Sequence, residues 1–535
     1  MNFRHLAVSL IYLCFSATVW AGQLFIPMDA SGQKDHLRAY GIAYAAMKEG
    51  IPVAWLLNYK GGSFVMADEG DIKEMCRQKG VTCKEITDNE YARIVKQIKA
   101  PGFNGDVIRL DKPPKIAVYT PLNKEPWDDA VTLALTYAGI PFDKLFADEV
   151  LAGELTKYDW LHLHHEDFTG EYSKFWAHFQ NDAWYRNDKH TMEELAASHG
   201  LNKVSQLQLA VVKKIRDFVG AGGNLFAMCT ASSTFDIALA AEGIDICDTR
   251  FDGDPADPFA NDKLNYKKCF AFKGFSVVID PYNPVHSDID YASLNVPEEY
   301  DYFTLVSTAA KNDPVAAMLC QDHVTTIKGF MGQTTAFREG LLKPGVIVLG
   351  KNVAAKDGSY PYSSYNSNRA KYIHGTYGKG AWTFYGGHDP ESYRHIVGSA
   401  PTDLSLFPNS PGYRLILNNL LLPAAKKALG QTKKSPPITE NKNTISSNEQ
   451  TVPVKIKLYP DHENNELVIV FDTITGNKGS NGNAIGNVTI TDHTGAEVFN
   501  HSYNVQKVSI DIKDFPGGIY QVSVNGKYIG RMVKE

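Results

Sequence analysis

The apolar positions of this chain follow two regimes that change near residue 425. Before it, short apolar runs alternate with segments of helical period. Runs at 23–28, 53–58 and 64–67 read as strands, and 36–48, 71–79 and 90–98 as helices. That alternation predicts a small parallel-sheet α/β unit over 22–112. Pro113 and Pro114 mark a boundary. A second alternation follows, with strands at 115–120, 158–164, 224–228 and 346–350 and helices around 130–137, 204–219 and 234–241. The runs 372–375 and 381–385 flank Gly378-Lys379-Gly380 and read as a hairpin. This order predicts a doubly wound, flavodoxin-like parallel sheet over 113–425, with ligands at the carboxyl ends of its strands. The stretch 248–338 has little period and reads as an insertion that builds a wall or lid.

Residues 426–453 are rich in Lys, Ser, Thr, Asn and Pro, the composition of a flexible linker. Beyond it, runs at 454–458, 467–471, 488–491, 497–500, 508–512, 520–524 and 528–533 are short and separated by Gly, Asn and Asp. They predict an immunoglobulin-like β-sandwich over 454–535.

At 535 residues the chain needs several folding units. A net charge of −6, with no basic run interleaved with aromatics, argues against nucleic acid as a partner. Residues 1–21 have the form of a secretory signal: Arg4 and His5, an apolar run, then Val19-Trp20-Ala21. No later segment is long and apolar enough to span a membrane. The chain is therefore expected to be exported, to the periplasm, cell surface or beyond. Six cysteines remain after signal removal. In an oxidising compartment Cys76 with Cys83, then Cys247 with Cys269, are the pairs to expect.

Three clusters carry chemistry. The strand 224–228 runs into Cys229 and then into the small residues Thr230-Ala231-Ser232-Ser233. A thiol on such a turn gains from the helix N-terminus behind it, and the backbone N–H groups there can hold an oxyanion. An inert buried cysteine has the same local sequence. Gly386-Gly387-His388-Asp389-Pro390-Glu391 follows the hairpin. His388 is a candidate base, with Glu391 or Asp389 to orient its ring; glycines there let backbone approach a ligand closely. The acids and Pro390 also read as ordinary helix-capping chemistry. The third cluster is His162, His164, His165, Glu166 and Asp167 at a strand end, with His162 and His164 on one face and His165 opposite. His164, His165, Glu166 and Asp167, with Thr230, Gly387 and Asp389, are candidate substrate contacts. Their spacing matches no zinc motif, so no metal ligand set and no cofactor are assigned. Asp252-Gly253-Asp254 reads as a turn, and Lys60-Gly61-Gly62-Ser63 lacks the ending of a phosphate loop.

The segment 115–423 resembles the class I glutamine amidotransferase-like superfamily, especially its trehalose-utilisation-like branch. YGKGAWTFYGGHDPE is similar to that branch's Gly-Lys-Gly strand ending in Gly-His, and GGNLFAMCTA to the superfamily's strand-elbow-helix. The resemblance implies a catalytic Cys229 and His388 with a nearby acid, hence a hydrolase acting on an amide, peptide or glycan-derived substrate. Alanines stand where working triads carry glycines beside the cysteine, and Pro390 stands at the usual acid position. A non-catalytic binding protein with a degenerate pocket is the alternative, and a metal-assisted hydrolase the third. LFIPMD, WLLNYKGGSF, LHHEDFTG and GGHDPE also resemble exported Bacteroidetes proteins labelled asparagine synthetase B. Synthetase chemistry itself is not expected, because the N-terminal cysteine and pyrophosphate loop it needs are absent. The C-terminal segment, ending GGIYQVSVNGKYIGRMVKE, resembles the type IX secretion sorting domain, which implies export machinery as a partner.

Overall fold

In the computed structural model the described residues are 22–121, 129–290, 297–353, 369–394 and 398–425, and most of 455–534. The expected signal sequence and linker lie outside them. Contacts divide the chain into two units at 433/434.

Strands β1 (Gln23–Ile26), β2 (Val53–Leu57), β3 (Ser63–Ala67), β4 (Lys84–Ile86) and β5 (Asp106–Leu110) form one sheet in the order β4-β1-β3-β2-β5. Every pairing in it is antiparallel, which corrects the expected parallel unit. For β2 and β3 the reason is the tight connection at Lys60–Gly62, which folds β3 back along β2.

The larger sheet is mixed. β6 (Ile116–Tyr119), β7 (Asp143–Leu145), β8 (Trp160–Leu163) and β9 (Asn224–Met228) run parallel. The insertion contributes β10 (Tyr302–Leu305), β11 (Thr326–Lys328) and β12 (Phe337–Arg338), and β13 (Ile347–Val353), β14 (Arg369–Tyr377) and β15 (Gly380–Tyr385) follow. The order is β11-β10-β13-β14-β15-β9-β8-β6-β7, with β12 beside β14. β15 lies parallel to β9 but antiparallel to β14, so only the half from β15 to β7 is parallel.

Successive side chains of the parallel half enter opposite cores, as a strand covered on both faces requires. Ile116, Val118, Trp160, Phe226 and Met228 face helices His36–Lys48, Ala130–Ala138 and Pro411–Leu421. Ala117, Tyr119, Leu161, Leu163, Leu225 and Ala227 face helices Val204–Ala221 and Ala231–Ala240. The first core also takes in Leu24, Val53, Trp55 and Phe64 of the small sheet, so the small sheet and the large one share it. Gly41 permits this sharing. A Cβ there would lie 1.9 Å from the carbonyl oxygen of Ala138, so only glycine lets the two helices cross.

Among the described residues the second unit holds seven strands in two antiparallel sheets. One is β16 (Lys455–Asp461), β17 (Glu466–Asp472) and β20 (Lys507–Asp511). The other is β18 (Gly486–Thr491), β19 (Glu497–Tyr503), β21 (Gly518–Val524) and β22 (Lys527–Lys534).

The six described cysteines are free thiols. Cys247 donates to the Thr169 carbonyl and Cys269 to that of Asp236, each at 3.3 Å, so the expected pair between them is absent. Burial and the neighbouring Cys83 push the Cys76 thiol up to about 12.

Candidate functional site

The parallel registers fix where the candidate residues meet. Leu163 pairs with Ala227 and Met228 with Tyr385. The residues after these positions therefore emerge at one edge of the sheet: His164 and His165, Cys229, and the Gly386-Gly387-His388 turn.

Cys229 is an elbow. Its φ of 52° lies in the left-handed region, which costs a non-glycine residue on the order of 1–3 kcal/mol. The helix Ala231–Ala240 begins at once, with Ala231 N donating to His164 O at 3.1 Å and Ser232 Oγ to Cys229 O at 2.6 Å. The thiol is 2% exposed, 3.7 Å from Thr230 Oγ1. Thr230 donates to Gln333 Oε1 at 2.6 Å, Gln333 Nε2 donates to Ser173 O at 2.8 Å, and Ser233 meets Thr334. Gln333 and Thr334 thus roof the elbow.

The imidazoles form the centre. His164 Nε2 and His388 Nδ1 are 2.9 Å apart. One donatable nitrogen each from His164, His165 and His388 lies within 4.8 Å of the others, and His165 is the most exposed of the three. The strand ends at Leu163, so the chain turns at His164 and His165 does not take the opposite face. Its ring is 5.1 Å from that of His164.

Behind His164 stands Asp129, which sequence reasoning did not single out. Its Oδ1 accepts from Val131 N and Thr132 N, capping the helix Ala130–Ala138. The same carboxylate meets His164 Nδ1 and His162 Nε2, each at 3.1 Å. Burial alone would push this carboxyl up, but His162 and His164 outweigh it and hold it well below the usual carboxylate range. Burial drives His164 well below the ordinary histidine value, and His388 pushes the same way against Asp129. His164 Nδ1 lies 3.1 Å from Asp129 Oδ1, and its Nε2 faces His388. The available signal was an Asp directly before an apolar helical run, an N-cap pattern.

The remaining candidates divide. Asp389 accepts from Thr402 Oγ1 at 2.6 Å and Glu391 N at 2.9 Å, which fixes the turn. Glu391 is half-buried, its carboxyl raised by burial against a hydrogen bond from Ser410. The Glu166 carbonyl accepts from Thr234. Asp167 belongs to a separate buried network. It pairs with His286 at 3.1 Å and accepts from Thr169 and Ser173 N. The glycines serve packing: a Cβ at Gly387, φ 97°, would lie 2.4 Å from the Phe330 ring and 2.9 Å from Lys371 Nζ. The close approach they permit is to Phe330 and the insertion. Lys371, also unanticipated, is fully buried, and burial brings its amine down to about 8 against Asp301, Asp290 and Cys229.

Residues 457–534 match the family described as secretion system C-terminal sorting domain. The chain thus carries a sorting domain of the type IX kind and is exported to the cell surface or beyond; engagement of a sorting complex by that segment is consistent with the match. No helix among the described residues is long and apolar enough to cross a membrane. No curated protein matches the chain. Among solved structures, a cytoplasmic protein from Salmonella typhimurium is 12% identical, over 58% of this chain and 98% of that one, at a TM-score of 0.27. A second cytoplasmic protein, from Salmonella typhimurium LT2, is 12% identical over 58% and 99%, at 0.28. A catalytic mutant of a GH42 β-galactosidase from G. stearothermophilus is 10% identical over 74% and 40%, at 0.26.

Proposed function

We propose that the chain is an exported, non-catalytic binding protein with a degenerate amidotransferase-like pocket at the carboxyl ends of its parallel strands. The observation that carries this reading is the convergence of His164, His165 and His388 beside a roofed elbow. Such a cluster offers fixed polar groups for a ligand, while the thiol beside it is covered. The seven C-terminal strands, in this reading, are an immunoglobulin-like module that delivers the pocket to the surface. A cysteine hydrolase is the second reading, and one observation favours it: a strained φ at a strand-to-helix cysteine is the geometry that projects a nucleophile.

The test uses the purified exported protein. Thermal shift is measured with glutamine, a dipeptide amide and N-acetylglucosamine, in wild type and H388A. A probe that raises Tm in wild type and not in H388A supports a ligand site. No shift from any probe counts against it. Release of ammonia from glutamine or the dipeptide amide, abolished by C229A, would replace the binding reading with the hydrolase.

A further inference from the structure

From the same pocket, and resting on the binding reading, we infer that His164, His165 and His388 form a site for a divalent transition-metal ion of the zinc, cobalt or copper class. Two other clusters of potential ligands are already satisfied. Asp129, His162 and His164 are closed by the helix N–H groups on Asp129 and by the Phe226 carbonyl, 3.2 Å from His162 Nδ1. Asp245, Cys247 and Asp252 gather around Lys203, whose ammonium reaches Asp245, Asp252 at 3.0 Å and Asp254. Of these three clusters among the described residues, the remaining one is built of imidazoles alone.

The chemistry of the donors selects the ion. Three imidazoles suit zinc, cobalt, nickel and copper, whereas calcium and magnesium require oxygen. Zinc–nitrogen bonds of about 2.0–2.1 Å at tetrahedral angles place ligand nitrogens roughly 3.3 Å apart. His164 Nε2 and His388 Nδ1, at 2.9 Å, would need to part by about 0.4 Å to reach that spacing. The exposed His165 closes the third side by side-chain rotation. On coordination the ion replaces the N–H that bridges His164 and His388, and that proton passes to the other nitrogen of His388.

Asp129 completes the argument. A ligating histidine whose second nitrogen donates to a carboxylate is oriented and made more basic by it. His164 Nδ1 stands 3.1 Å from a carboxylate pinned by two backbone N–H groups, close enough for a small ring rotation to bring it into this arrangement. Asp129 is thus a positioning residue. Three protein ligands leave a fourth position open to solvent or to a small ligand.

The experiment titrates chelator-treated exported protein with Co(II), read by its visible absorption, and with Zn(II) against a chromophoric chelator. The expected result is one ion per chain, with no cobalt–thiolate charge-transfer band and no change in C229A. H165A, at an exposed position where folding is not at risk, should weaken binding by more than the roughly 10- to 100-fold that loss of an outer-shell partner costs; D129N should fall inside that range. No stoichiometric binding, or binding indifferent to H165A, overturns the metal site. If metal fails while a probe still shifts Tm through His388, the pocket reading stands alone. If both fail, both readings fall.

Discussion

Replacing Asp129 separates two jobs held by one side chain. D129A removes the helix cap, worth about 1 kcal/mol. It also strips the buried partner from His162 and His164, and loss of one member of a buried pair costs about 3–5 kcal/mol. The expected total is about 4–6 kcal/mol. D129N keeps an oxygen for Val131 N and Thr132 N but turns an NH2 toward the imidazoles, so it should lose about 1 kcal/mol less than alanine. Urea unfolding followed by tryptophan fluorescence is the assay. Trp160 stacks on His162 at 6.0 Å and reports from beside the perturbation. With a slope of about 3 kcal/mol/M, a 4 kcal/mol loss moves the midpoint by more than 1 M. The pH dependence has a fixed sign. The folded carboxyl is held below its unfolded value, so its contribution is present above about pH 4 and is lost as pH falls through the folded pKa. The gap between wild type and D129N should therefore hold from pH 8 to 5 and narrow below 4. A D129N protein within about 0.5 kcal/mol of wild type at pH 7, the ordinary range for an unimportant surface change, would refute the buried pairing.

G387A should cost about 2–4 kcal/mol, since it overpacks Phe330 and Lys371 at a positive φ, and urea titration should show it while G398A at a site open to solvent is milder. Burial pushes Glu171 up to about 7 against Lys174 and His286. That raised value gives stability fully present below the unfolded pKa, about 4.3, and lost as pH rises through 7. Wild type should lose about 2–3 kcal/mol relative to E171Q between pH 5 and 8, and parallel pH profiles would exclude it. Deleting 454–535 should trap the protein in the periplasm, read by fractionation; normal surface delivery would assign that segment another role.

Local patterns were legible because local forces set them. The strand Asn224–Met228, the hairpin around Gly378 and all seven C-terminal strands followed from apolar runs punctuated by turn residues. Strand direction in the small sheet had one local signal, the short Lys60–Gly62 connection of β2 to β3; elsewhere helices between strands also allow antiparallel pairing, and distant partners decide it. β10–β12 are two to four residues long inside an aperiodic stretch, too short to carry a period. At the site, the spacing of His164, His165 and His388 was visible as strand ends. Asp129 was visible only as a cap. Its meeting with two histidines depends on β6 lying beside β8, a neighbour relation that no local run encodes.

The shared first core has a consequence for the order of folding. Tyr40 in the first helix donates to Asn418, and Arg414 reaches back to the carbonyls of Met28 and Gly61. These partners are separated by more than 350 positions. Loop closure over that distance must precede the contacts that reward it, so early residues wait for late ones. One face of the amino-terminal sheet closes early, on Ile94 and Ile98 of the helix Asp88–Lys99, but the other is not fully covered until Pro411–Leu421 has arrived. For an exported chain that delay is useful: a first segment with one face still uncovered resists premature closure until residues 411–421 have been made.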